Sequence, residues 1–84
     1  LRKQNSNSNY MKIKQSFIAK CREITVKQIR EISKLADRNY ATVIWALLEP
    51  NEWHYASDIW KATANVLKID LSDIYEVEDL THPL

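Results

Sequence analysis

The chain has 84 residues, enough for one small domain and not for two. Apolar residues make up 45% and charged residues 27%, an ordinary globular balance. There is no glycine, which excludes a Gly-rich phosphate loop and a dinucleotide fingerprint and disfavours tight two-residue hairpins. The net charge of +1 conceals a split: residues 1–38 carry ten Lys/Arg against three acids, and residues 39–84 carry two against eight. Two readings of the split stand: one end of the molecule meets an anion, or the halves attract each other and keep the protein soluble.

Taken in order, residues 1–11 read as a flexible polar and basic arm, with Arg2, Lys3 and an Asn/Ser run from Asn5 to Asn9. The chain opens on Leu1, so Met11 stands as an alternative natural start. LRKQNSNSNY lacks the apolar stretch of a signal peptide, and no apolar run is long enough to span a bilayer. The single cysteine, Cys21, cannot form an internal disulfide and is compatible with a reducing compartment; a cytoplasmic location and no membrane contact are expected.

From Ile13 the pattern becomes helical. Ile13, Phe17, Ile18, Cys21 and Ile24 predict a first helix over about 12–23. Thr25 and Gln28 have the spacing of a capping box, and Ile29, Ile32, Leu35 and Ala36 continue as a second helix over 26–36. Asp37, Arg38 and Asn39 interrupt the period with turn and cap residues. A third helix over 40–48 buries Val43, Ala46 and Leu47 and stops before Pro50. Asn51 to Ala56 form a loop. Ser57 then caps a fourth helix over 58–68, in which Trp60, Thr63, Ala64 and Leu67 share a face. Ser72 caps a last short helix that buries Ile74 and Tyr75, and residues 77–84 read as an acidic, polar tail.

Short helices joined by a tight junction suggest a helix-turn-helix. The stretch EISKLADRNYATV resembles the core of the Cro/λ-repressor-like (XRE) family, with Glu31-Ile32-Ser33 and Asn39-Tyr40-Ala41-Thr42-Val43 at its two ends. Arg22-Glu23 lies where that family has an Arg-Glu pair, and Leu67-Lys68-Ile69-Asp70-Leu71-Ser72-Asp73-Ile74-Tyr75 resembles its Leu-Gly-Val-Ser-Leu-Asp-Glu-Leu-Phe segment. The chain departs from the pattern at Asp37, where the family has glycine, at Arg38, where it has an apolar residue, and at Leu47, where a glutamate is common. The resemblance covers about residues 13–76. It implies an all-α, compact four- or five-helix λ-repressor-like DNA-binding domain over 12–76.

It also implies a sequence-specific transcriptional regulator of prokaryotic or phage type. Its third helix would lie in the major groove of double-stranded DNA, and the protein would be a homodimer. By position, Arg38, Asn39, Tyr40, Ala41 and Trp45 are the candidate base contacts, with Ile44 beside them. Asn39 suits adenine, and Arg38 suits guanine or phosphate. The candidate phosphate contacts are Arg2, Lys3, Lys12, Lys14, Lys27, Gln28, Arg30 and Thr42. Asn39 as a simple N-cap, and Ile44 and Trp45 as core or dimer contacts, are the competing readings.

Between Tyr40 and Pro50 there is no cation at all, and this motivates a second function: a protein-interaction module on the same scaffold, antitoxin-like or anti-repressor. Self-association is expected in the aromatic, acidic segment from Trp53 to Tyr75, with Trp53 and Trp60 as core or dimer anchors. Cys21 reads as a small core residue, and Asp58, Asp70 and Asp73 as helix-start acids. His54 and His82 do not combine with Cys21 into a zinc site, and no nucleophile–base pair stands out. Neither an enzyme nor a cofactor is expected, and no RNA-module signature is present.

Overall fold

The computed structural model describes residues 12–76; the expected arm, with Arg2 and Lys3, and the expected tail over 77–84 lie outside the described residues. Along the chain run β1 (Lys12–Ile13), α1 (Gln15–Cys21), α2 (Val26–Ala36), α3 (Tyr40–Leu48), α4 (Ser57–Leu67), a 3-10 turn at Leu71–Asp73 and β2 (Tyr75–Glu76). The molecule is mostly helical, as the composition suggests, with a two-stranded sheet added.

That sheet corrects the expectation at both ends. The first helix begins at Gln15 rather than near residue 12, because Lys12 and Ile13 pair antiparallel with Glu76 and Tyr75. Lys14 continues the pairing, donating its N–H to the Ile74 carbonyl at 2.8 Å. The strands come from opposite ends of the described chain, so no hairpin turn, and no glycine, is required. The expected fifth helix is a single 3-10 turn that stops so that Tyr75 can enter the sheet. Ser72 does not cap it; the Asp70 N–H donates to Asp73 Oδ2 at 3.1 Å instead.

Between these ends the helices start and stop where their chemistry dictates. At the start of α2 the Gln28 N–H donates to Thr25 Oγ1 at 3.1 Å, and the Thr25 N–H donates to Gln28 Oε1 at 2.9 Å, a reciprocal box. Helix α4 begins at Ser57 rather than after it. Its cap position is the buried Ala56, with no side-chain cap, and Asp58 supplies a favourable charge in the first turn.

The core runs through every helix. Phe17 of α1, Ile32 of α2, Val43 of α3, Ile59 and Trp60 of α4, and Ile74 are all essentially sealed from solvent. Phe17 and Trp60 meet edge to face, with ring centroids 5.9 Å apart. The main packing contact joins α2 to α4, and α3 leans on α2 and α1. Leu35 departs from the expected apolar face of α2 and stands exposed, because α4 covers the neighbouring face at Ile32. Trp60 also anchors the loop ahead of α4: its indole Nε1–H donates to the Trp53 carbonyl at 2.8 Å, while the Tyr75 hydroxyl donates to the His54 carbonyl at 3.1 Å. Trp60 is thereby a core residue of the monomer and not a dimer anchor.

Candidate nucleic-acid interface

The junction between α2 and α3 is three residues long, and its backbone closes on itself. Asp37 takes the left-handed conformation (φ 56°, ψ 46°). Its N–H donates to the Lys34 carbonyl at 3.2 Å, and the Arg38 N–H donates to the Ser33 carbonyl at 3.1 Å. This is a Schellman closure, built here without glycine. The position where the resemblance expects glycine is therefore left-handed, and a short polar side chain tolerates it. Lys68, at the second glycine position of the resemblance, does the same after α4 (φ 60°, ψ 47°). The Ser33 hydroxyl donates to the Arg38 carbonyl, which ties the junction further to α2.

Arg38 turns away from the outer face of α3. Its Nε donates to Asp58 Oδ2 at 2.7 Å and its Nη2 to Asp58 Oδ1 at 3.4 Å, a two-point contact with the first turn of α4. Partial desolvation pushes the Asp58 carboxyl up, but the hydrogen bond from Arg38, the Ile59 N–H and the guanidinium charge outweigh it. The net effect holds its pKa below the ordinary value of 3.8. Reading guanine with Arg38 would mean giving up this pair.

Asn39 is the N-cap of α3, its Oδ1 accepting from the Ala41 N–H at 3.0 Å. The capping reading and the contact reading coexist in one side chain: Oδ1 is engaged, while the exposed amide nitrogen keeps two protons for an outside acceptor. A bidentate adenine contact would have to share Oδ1 with the cap.

Along α3, Val43, Ala46 and Leu47 face the core. Tyr40, Ala41, Ile44, Trp45 and Leu48 recur at helical spacing on the other side. Trp45 is 59% exposed and Leu48 64%, Ala41 is exposed, and Tyr40, Thr42 and Ile44 are half-buried. Of the five base-contact candidates, Asn39, Tyr40, Ala41 and Trp45 stay together at one edge, whereas Arg38 is diverted.

Beside this face lies an open groove of about 350 Å3, lined by Ile18, Cys21 and Arg22 of the first helix and its end, Ile29 of α2, and Ile44 and Leu48 of α3. Arg22 thus shares this groove with Ile44, Leu47 and Leu48 in the second half of α3, and none of Asn39, Tyr40, Ala41 and Trp45 lines it. Sequence reasoning assigns Arg22 no contact of its own; its place directly after Cys21, at the end of an apolar helical stripe, is the clue that could have found it. Lys27, Arg30 and Gln28 belong to the first half of α2, and Lys12 and Lys14 to β1 and the cap of α1. Gln28 spends its carbonyl oxygen on Thr25 and keeps its amide protons unengaged among the described residues. Among the described residues only Arg38 makes an ion pair, so these cations are uncommitted.

Cys21 lines the groove floor, and burial, offset slightly by Arg22, pushes its thiol up to about 12. It is a neutral core group at physiological pH. Among the described residues no group of three His, Cys, Asp or Glu side chains could hold a metal, and no helix is long and apolar enough to cross a membrane. No family model, curated protein or solved structure matches the chain.

Proposed function

We propose that the chain is a sequence-specific DNA-binding regulator of the Cro/λ-repressor-like kind, acting as a homodimer with α3 in the major groove of each half-site. The observation that carries the reading is the three-residue closed junction, which leaves Asn39, Tyr40, Ala41 and Trp45 at one edge with the uncommitted cation Arg22 beside the same helix. Lys12, Lys14, Lys27 and Arg30, with the amide of Gln28 and the hydroxyl of Thr42, supply further phosphate contacts. Arg38 braces the junction from within rather than reading a base. The test is titration against duplexes recovered from a random pool, at several salt concentrations. Affinity falls steeply with salt, and Lys27→Gln lowers the log–log slope by about 1. Failure to recover any duplex at low salt sinks the reading.

A second reading has its own observation. Trp45 and Leu48 are large, apolar and mostly exposed on a helix with no charged residue. Such a surface also suits a protein partner, which would bury it as the antitoxin-like alternative requires. Under that reading, charge reversal at Lys12, Lys14 and Lys27 leaves partner binding intact, whereas Trp45→Ala abolishes it.

A further inference from the structure

In the major groove each base offers different chemistry to the helix lying in it. Guanine shows two acceptors and calls for an Arg or Lys fork; cytosine shows an amino donor and calls for a carboxylate or carbonyl; adenine shows a donor and an acceptor and calls for an amide. Thymine alone adds an apolar group, its 5-methyl. Helix α3 carries no Arg, Lys, Asp, Glu, Asn or Gln from Tyr40 to Leu48. Its outward side consists of Tyr40, Ala41, Ile44, Trp45 and Leu48, and Arg38, the nearest guanidinium, is held by Asp58. Pressing this face on any base pair buries polar edge groups that it cannot satisfy, apart from what the Tyr40 hydroxyl and the Asn39 amide reach, which is penalised; only thymine offers an apolar group in return. Pressing it on thymine methyls buries apolar surface on both sides.

Resting on the DNA-binding reading above, we infer that the half-site is an A·T-rich segment recognised through thymine 5-methyl groups packed on Ala41 and Trp45. The Asn39 amide protons add one hydrogen bond to a purine N7 at the edge. Specificity then comes from shape and apolar contact, and affinity from the flanking cations. Trp45 is the specificity-determining residue, because it is the largest exposed apolar group at the middle of the face.

The experiment leaves the protein unchanged. Duplexes selected from a random pool are sequenced, and thymines in the protected half-site are replaced one at a time and together by uracil, which pairs identically but lacks the methyl. Each contacted methyl is worth about fourfold in affinity, so two or three together cost roughly 15- to 60-fold. Uracil outside the footprint costs nothing. In Trp45→Ala, whose altered residue lies at the surface, the uracil penalty shrinks towards unity while non-specific, salt-dependent binding persists. Selected duplexes specified by G·C pairs, or a uracil penalty within twofold at every half-site thymine, overturn the inference while leaving DNA binding intact. Recovery of no duplex at all overturns both.

Discussion

Asn39 caps α3 with one end of its amide, and the contact proposed for the other end separates from capping by substitution. The oxygen caps α3 by accepting from the Ala41 N–H, while the nitrogen of this exposed residue makes no hydrogen bond among the described residues. Replacing Asn39 by Ala removes both and destabilises the fold by about 1 kcal/mol, the usual cost of losing an N-cap. Replacing it by Ser keeps a capping oxygen and exchanges the two amide N–H donors for one O–H on a shorter side chain. Urea unfolding therefore separates Asn39→Ala from the parent and leaves Asn39→Ser close to it. On the DNA-binding proposal, duplex affinity falls in both, by about fivefold, the worth of one hydrogen bond of roughly 1 kcal/mol. Equal affinity of Asn39→Ser and the parent would assign Asn39 to capping alone.

Arg38 and Asp58 show the same division at the neighbouring residue. Asp58 has its pKa lowered in the folded state: desolvation raises it, and the Arg38 hydrogen bond and charge more than reverse that. A carboxyl with a depressed folded pKa stabilises the fold above its unfolded value, near 3.8, and loses that contribution as the pH falls through the lower folded value. Both side chains are partly solvent-exposed, so the pair is worth no more than about 1 kcal/mol. Asp58→Asn is accordingly less stable than the parent at neutral pH, and the two converge as the pH falls through the lowered folded-state pKa of Asp58. A stability difference that stays constant from neutral to acid pH would show that Asp58 acts through packing instead of charge.

At the scale of elements, helices α2 and α3 were legible because their ends are chemical events local in sequence. Thr25 and Gln28 close a box within four residues, Asn39 caps, and Pro50 stops α3. The left-handed Asp37 was legible only through the resemblance, since nothing in its composition demands that conformation. The β1–β2 pairing was hidden because it spans two residues on each strand and joins distant parts of the chain, which leaves no period to read. Ile13 satisfies a helical stripe and a strand pairing equally well, and the partner Tyr75 decides between them. The start of α4 was misplaced because Ser57 has the right identity for a cap while Ala56 has the right geometry. The expected site residues keep their places around α3, but where their side chains go was not readable: only the fold tells that Arg38 pairs with α4 and that Arg22 lines a groove shared with α3.

At the scale of the whole molecule, the charge split decides how the protein responds to salt. If the basic and acidic halves held each other, many cross-pairs would bind them; among the described residues there is one, between Arg38 and Asp58. The cations of α1, α2 and β1 remain turned to solvent or half-exposed, without carboxylate partners. A polyanion meeting them displaces small counterions and breaks no internal pair, so its binding carries the full salt dependence of phosphate contacts. Folding, by contrast, draws on the apolar core around Trp60, which screening hardly touches. On the DNA-binding proposal, raising salt from about 50 to about 500 mM therefore weakens duplex binding by roughly 10^3-fold or more while the urea midpoint moves little. A midpoint that falls in parallel with affinity would mean that long-range attraction between the halves holds the fold together, and that the cations are spent inside the molecule rather than offered to a partner.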